Sequence, residues 1–236
     1  MTTHRFFCEE WVEGATEVEL SAGEASHACK VLRLREGDTC QLLNGKGDIA
    51  EAEIAEIGKR RVLCRVLSVQ SFPPSEPNLR LYVAPPKGKN WDVLLKMATE
   101  LGVARITPIL CRYGVSRPDE AKDGWRETLI AACKQSGNPW LPQMDAPIEF
   151  SDALAQAEEC GFVGMVPRGE GRKTECLDRT GGLALWVGPE GGFTAEEEEA
   201  LLQKGVHPLT VGKWILRVET AVPALLGALL NESVKR

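Results

Sequence analysis

Leu183-Ala184-Leu185-Trp186-Val187-Gly188-Pro189-Glu190-Gly191-Gly192-Phe193-Thr194 is the stretch on which the fold turns. The unbroken apolar run 183–187 reads as a strand covered on both faces. Gly188-Pro189-Glu190-Gly191-Gly192 then ends it, and Thr194-x-x-Glu197 is a capping box that opens a helix. Open α/β sheets bind ligands at the carboxyl ends of their strands, where this turn lies. Its glycines let a ligand approach backbone N–H and C=O groups, because no Cβ stands in the way. Glu190 and the run Glu196-Glu197-Glu198-Glu199 would repel phosphate, so a neutral or cationic guest suits the loop better. The competing reading is a plain tight turn between strand and helix.

Outward from this loop, strand and helix alternate. Strands are predicted over 79–84, 105–111, 162–166 and 209–211, and helices over 123–136, 151–159 and 219–234. A further helix begins at a capping Asn90, lines one face with Trp91, Leu94, Leu95, Ala98 and Leu101, and stops at Gly102. The helix over 123–136 turns Trp125, Leu129, Ala132 and Cys133 inward, and the last helix carries Leu225, Leu226, Leu229 and Leu230. This is α/β grammar with a mostly parallel sheet. Ser71-Phe72-Pro73-Pro74-Ser75-Glu76-Pro77-Asn78 interrupts it on the amino side: three prolines there read as a linker. Before the linker the pattern is β-rich, with strands over 39–43, 48–57 and 61–69. Ser21-x-x-Glu24 opens one helix along Ala25, Ala28, Cys29 and Leu32. Short strands and one helix predict a small, partly closed barrel. The expected domains are 1–72 and 78–236.

The chain has 236 residues, 43% hydrophobic and 26% charged, with a net charge of −6. Those are ordinary globular values. A generic nucleic-acid sponge would be basic overall, although a local basic patch is compatible with this charge. No apolar run reaches the ~18–20 residues of a membrane span. Acids at Glu9 and Glu10 stand where a signal peptide needs its apolar stretch, so a cytosolic protein is expected. Cys8, Cys29, Cys40, Cys64, Cys111, Cys133, Cys160 and Cys176 include no C-x-x-C pair and read as reduced thiols, mostly buried. With His4, His27 and His207 far apart, no metal site is expected. The sequence has no dinucleotide or P-loop signature, no G-x-S-x-G elbow and no H-E-x-x-H.

A second loop, Val211-Gly212-Lys213-Trp214-Ile215-Leu216-Arg217-Val218-Glu219-Thr220-Ala221, follows the last strand. Arg217 stands at the amino end of the final helix, where the helix dipole disfavours a cation. It is either functional or simply paired with Glu219 or another carboxylate.

Together, Gly188-Pro189-Glu190-Gly191-Gly192 and Gly212-x-x-Ile215-Leu216-Arg217-x-Glu219-Thr220-Ala221 resemble the 16S ribosomal RNA uridine N3-methyltransferase family of the SPOUT class. Further matches run through the chain in order: Arg5-Phe6-Phe7, Val31-Leu32-Arg33, Lys96-x-x-x-Glu100-Leu101-Gly102-Val103-x-x-Ile106-x-Pro108, and Ala131-Ala132-Cys133-Lys134-Gln135-Ser136-Gly137-x-x-x-x-Pro142. The resemblance implies an N-terminal PUA-like RNA-binding barrel and a trefoil-knotted methyltransferase domain that dimerises. It also implies S-adenosylmethionine held by Val166, Gly188, Pro189, Glu190, Gly191, Gly192, Val211, Gly212, Ile215, Leu216 and Thr220. A cationic sulfonium without phosphate agrees with the acidic glycine loop. This chain departs from the family at Asn138 and Trp214, where members often carry Arg, and at Lys134, which replaces a common Glu.

The implied reaction is methyl transfer to N3 of one uridine in the decoding-centre region (helix 44) of 16S rRNA, within the assembled small ribosomal subunit. N3 must lose its proton and the negative charge on O2 and O4 must be stabilised. Arg217 is expected to stabilise that charge, oriented by Glu219, which is also a candidate proton acceptor. The target base must be unpaired or flipped out. RNA contacts are expected from Arg5, from Lys30, Arg33 and Arg35 on the first helix, and from Lys59, Arg60 and Arg61, although the last cluster also fits a solvated turn. Competing functions are methylation of another RNA, such as tRNA, and a non-catalytic RNA-binding protein that keeps the fold.

Overall fold

A computed structural model of the chain describes residues 3–11, 14–59, 61–157, 160–166 and 182–233. Two units emerge from its contacts: Met1–Pro74 with Ile130–Leu141, and Ser75–Leu129 with Pro142–Arg236. A single seam at 71–78 would leave 130–141 with the second unit. Among the described residues no helix is long and apolar enough to cross a membrane.

In the first unit, β1 (Arg5–Phe7), β2 (Glu17–Glu19), β3 (Thr39–Leu43), β4 (Asp48–Ile57) and β5 (Val62–Ser71) form a sheet of order β1-β3-β4-β5-β2. The predicted alternation holds on β4: Ala50, Ala52 and Ile54 are fully buried while Glu51 is exposed. β1 and β2 escape sequence reading because three residues carry too little periodicity.

The helix opened by Ser21 is shorter than expected. α1 covers Ala22–Ser26 and widens into a π-helical turn over His27–Leu32, which ends at Arg33 with φ 57°. Only half of the predicted capping box forms. Ser21 Oγ accepts from the Glu24 amide at 3.3 Å, but the Glu24 carboxylate accepts from the Phe7 amide at 3.2 Å and from Lys134 Nζ at 2.6 Å. Lys134 lies at the end of α3 (Asp123–Ser136), whose second half, from Ile130, packs with this unit. Lys134 therefore has a local partner: a half-buried cation answers a buried carboxylate.

The second unit is built on a parallel sheet. Its strands are β6 (Leu79–Val83), β7 (Arg105–Leu110), β8 (Gln143–Met144), β9 (Ile148–Glu149), β10 (Cys160–Gly164), β11 (Leu183–Val187) and β12 (His207–Leu209). The order is β12-β10-β11-β6-β7-β8, with β9 also beside β7. β11 is buried at every position, as its unbroken apolar run predicts. Tyr82 and Trp186, paired in register across β6 and β11, stack at 3.9 Å between ring centroids. Helices α2 (Asn90–Glu100), α4 (Phe150–Gln156), α5 (Ala195–Gln203) and α6 (Val218–Ser233) complete the unit. On α2 the apolar stripe buries Trp91, Leu94, Leu95 and Ala98, a spacing that gives each about 1.5–3 kcal/mol if fully covered, less for Ala. Asn90 is not the cap: Lys89 holds that position, and the Asn90 amide turns to Glu219 instead. Because the strands run in parallel, the loops after β6, β7, β10, β11 and β12 all leave from one end of the sheet.

Candidate functional site

The loop after β11 is fixed by its own hydrogen bonds. Gly192 donates to the Pro189 carbonyl at 2.8 Å and takes φ +76°, a conformation that L side chains rarely adopt. Thr194 and Glu197 complete the predicted capping box at the start of α5, through Thr194 N to Oε2 at 2.8 Å and Glu197 N to Oγ1 at 3.1 Å. Glu197 Oε1 reaches further and accepts from the Arg112 amide at 2.9 Å. Glu190 accepts from the Lys87 amide at 3.4 Å. Carboxylates of this segment thus tie the loops after β6 and β7 to the loop after β11.

The loop after β12 turns at Gly212, φ +75°, and feeds α6 through the Arg217 carbonyl, which accepts from Thr220 N at 2.9 Å and Ala221 N at 2.7 Å. Arg217 is exposed, and among the described residues its guanidinium has no hydrogen bond or ion pair. The expected orientation by Glu219 does not occur. Glu219 Oε1 accepts from Asn90 Nδ2 at 2.9 Å, and Arg217 and Glu219 stand two positions apart at the start of α6, a spacing that points side chains apart.

Between these loops lies an open cleft with about 740 Å³ of empty space, mouth and adjoining solvent included. Of the predicted cofactor residues, Val166, Gly188, Pro189, Glu190, Gly192, Val211, Ile215 and Leu216 line it. Gly191, Gly212 and Thr220 do not. Gly191 instead faces Tyr113, whose Cβ would stand 3.0 Å from a Cβ placed there. Trp214, in the loop after β12, lines it too, as do Gly164, Met165, Val187, Phe193, Glu198, Val218, Ala221 and Leu225, which lie outside the predicted set. Met165 directly follows the end of β10, and strand ends are the one signal that could have found it. Gly188 packs tightly under Phe193, whose ring carbons would stand 3.0 and 3.1 Å from an added Cβ. Trp214 and Ile215 are 80% and 76% exposed, an unusual state for large apolar side chains. Backbone edges, apolar walls and two carboxylates make a poor phosphate cradle. They suit a neutral or cationic group with an apolar body.

Residues 74–230 match the family model described as RNA methyltransferase domain, and residues 20–67 match that of the RNA methyltransferase PUA domain. A ribosomal RNA small subunit methyltransferase E from Rickettsia conorii is 30% identical over 94% of this chain and 92% of its own length. The chain belongs to the ribosomal RNA small subunit methyltransferase E family. A family member from Neisseria gonorrhoeae, crystallised bound to S-adenosyl methionine, superposes with a TM-score of 0.89 at 29% identity, covering 98% of both chains. The Synechocystis relative is 29% identical over 91% of this chain and 72% of its own length. An N-terminal PUA-like domain and an α/β methyltransferase domain are therefore the architecture of this methyltransferase E family member.

Its predicted RNA-binding cations stand in different settings. Arg5 donates from Nε to Gln41 Oε1 at 2.8 Å and from Nη1 to the Lys134 and Gln135 carbonyls at 3.1 Å. It caps the carboxyl end of α3, where the helix dipole favours a cation. Lys30 and Arg35 are exposed, as is Arg33. The three do not share one helix, because the π-helical turn stops at Leu32. Arg61 forms a two-pronged pair with Glu56 at 3.0 Å, as a solvated turn would. Lys59 is exposed, and Arg60 lies outside the described residues. Seven of the cysteines are free thiols, and Cys176 lies outside the described residues. Burial pushes the Cys8 and Cys133 thiols up to about 12.

Proposed function

We propose that this protein transfers a methyl group from S-adenosylmethionine to N3 of one uridine in helix 44 of 16S rRNA, in the assembled small ribosomal subunit. The observation that carries this reading is the cleft between the loops after β11 and β12, with an exposed Arg217 on the second loop. Val166, Gly188, Pro189, Gly192, Val211 and Leu216 would hold the donor against backbone and apolar surface. Glu190 and Glu198 would give the sulfonium favourable field. Bound there, the donor supplies an electrophilic methyl group.

The rest falls to the chain. Arg217 offers a rigid fork of N–H donors, suited to the O2 or O4 of a uridine that is losing its N3 proton. Glu219, held in place by Asn90, is the candidate acceptor of that proton. Residues 1–72 form the RNA-positioning domain and 78–236 the methyltransferase domain, which is threaded as a trefoil knot and pairs with a second copy in the cytoplasm. The parallel order β12-β10-β11, which brings three strand ends to one side of the sheet, supports the knotted arrangement. At a net charge of −6 the protein would bind naked RNA weakly, so an assembled subunit offering shape and many contacts is the fitting substrate. Mass spectrometry of 16S rRNA from cells with and without the gene tests the reading. One N3-methyluridine should vanish with the gene, and an unchanged modification pattern would refute it.

A further inference from the structure

The loop after β7 is held more tightly than a connecting loop needs, yet two of its largest side chains stand in water. Gly114 N donates to the Cys111 carbonyl at 3.0 Å, and Arg117 Nη1 donates to the same oxygen at 3.1 Å. Arg117 Nη2 meets Glu149 at 2.8 Å, so this arginine is an internal brace. The Arg112 amide is pinned to Glu197, the residue that also caps α5. Between these anchors Tyr113 is 54% exposed, and the Arg112 guanidinium has no hydrogen bond or ion pair among the described residues. Tyr113 also sits directly over Gly191, whose neighbours Glu190 and Gly192 line the cleft. Glycine at 191 thus makes room for the tyrosine.

A fixed backbone that presents an aromatic face and a free guanidinium matches the chemistry of unpaired RNA, where bases stack on aromatic rings and phosphates meet arginine. Pre-fixing the loop also lowers the ordering cost of binding. We infer that Arg112 and Tyr113 grip a nucleotide flanking the methylated uridine, Tyr113 stacking on its base and Arg112 holding its phosphate. This rests on the function proposed above. It supplies a cation and a stacking surface beside the cleft.

The test uses full-length Tyr113→Ala, Tyr113→Phe and Arg112→Ala proteins with small ribosomal subunits from cells lacking the gene. Filter retention reads subunit binding without donor, calorimetry reads S-adenosylmethionine binding, and sedimentation reads the oligomeric state. Tyr113→Ala should weaken subunit binding roughly 5- to 150-fold, with Tyr113→Phe restoring it. Arg112→Ala should weaken binding and lower its salt slope by about one. Donor affinity and sedimentation should match wild type in all three. Wild-type subunit affinity in Tyr113→Ala and Arg112→Ala would overturn the inference. So would a changed oligomeric state, which would make this a contact between copies, or a parallel loss of donor affinity, which would make it a prop for the Gly188–Gly192 loop. If the variants lose binding as expected but the wild type methylates no uridine, the grip stands and the proposed reaction falls.

Discussion

Replacing Gly188 by Ala puts one methyl group where the cleft loop has no space for it. The added Cβ would stand 3.0 and 3.1 Å from Cδ2 and Cε2 of Phe193 and 3.2 Å from the Phe193 backbone nitrogen. Carbon atoms rest at about 3.5–4.0 Å, so the ring must retreat by roughly half an ångström. Phe193 is only 8% exposed and is backed by Phe150 at 5.6 Å between centroids. Overpacking of this kind costs about 1–3 kcal/mol, which lowers the thermal midpoint by roughly 2–12 °C in a chain of this size. If the loop yields instead, the same free energy appears as donor affinity reduced about 5- to 150-fold. Calorimetric titration with S-adenosylmethionine and a thermal melt, run on the same preparation, separate the two. Adding Phe193→Leu removes the ring but leaves the backbone contact, so the double variant should recover part of the loss. The coupling between the two changes should be at least about 0.5 kcal/mol. A Gly188→Ala protein with wild-type midpoint and wild-type affinity would refute the reasoning, and so would strict additivity of the pair.

Arg217→Ala should lower methyl transfer about 10²- to 10³-fold while donor affinity, read by calorimetry, stays within twofold; equal losses in both would make Arg217 a binding residue only. Lys134→Ala leaves the Glu24 carboxylate, 11% exposed, without the cation that now meets it at 2.6 Å. Urea unfolding should show a loss of about 1–3 kcal/mol, moderated because Lys134 is itself 22% exposed. The raised Cys8 and Cys133 thiols hold their protons in the folded chain while the unfolded chain releases them from about pH 9 upward. Stability from these groups is therefore full below pH 9 and falls between pH 9 and about 12, by about 1.4 kcal/mol per pH unit for each thiol. Urea unfolding at pH 8 and pH 10.5 should show the drop, and a Cys8→Ala/Cys133→Ala protein should show a shallower one.

What could be read from the residues followed their periodicity. The run 183–187 is the buried strand β11, and the helix predicted over 123–136 is α3 with the same bounds. The glycine loop and the loop carrying Arg217 do meet at one cleft, because parallel strands send their carboxyl-end loops to the same side. What escaped were effects that depend on distant neighbours. Glu24 looked like half of a capping box, yet a lysine more than a hundred positions away takes its carboxylate. Arg5 caps the carboxyl end of α3, a role that its own neighbours in the sequence do not signal. Gly191 looked like part of a ligand cradle, and its missing Cβ makes room for Tyr113. Glu219 is expected beside Arg217, and its carboxylate accepts from Asn90 instead. The π-helical turn at His27–Leu32 has no local sequence signature, since its 3.6-residue apolar spacing is that of an ordinary helix.

The most direct measurement is a crystal structure of this protein grown with S-adenosylmethionine. Density for the donor should fill the cleft against Gly188, Pro189, Val211 and Leu216, with its sulfonium on the side of the acidic wall. Donor density elsewhere on the sheet, or a cleft closed by Phe193 and Trp214 with the ligand absent at saturating concentration, would contradict the account.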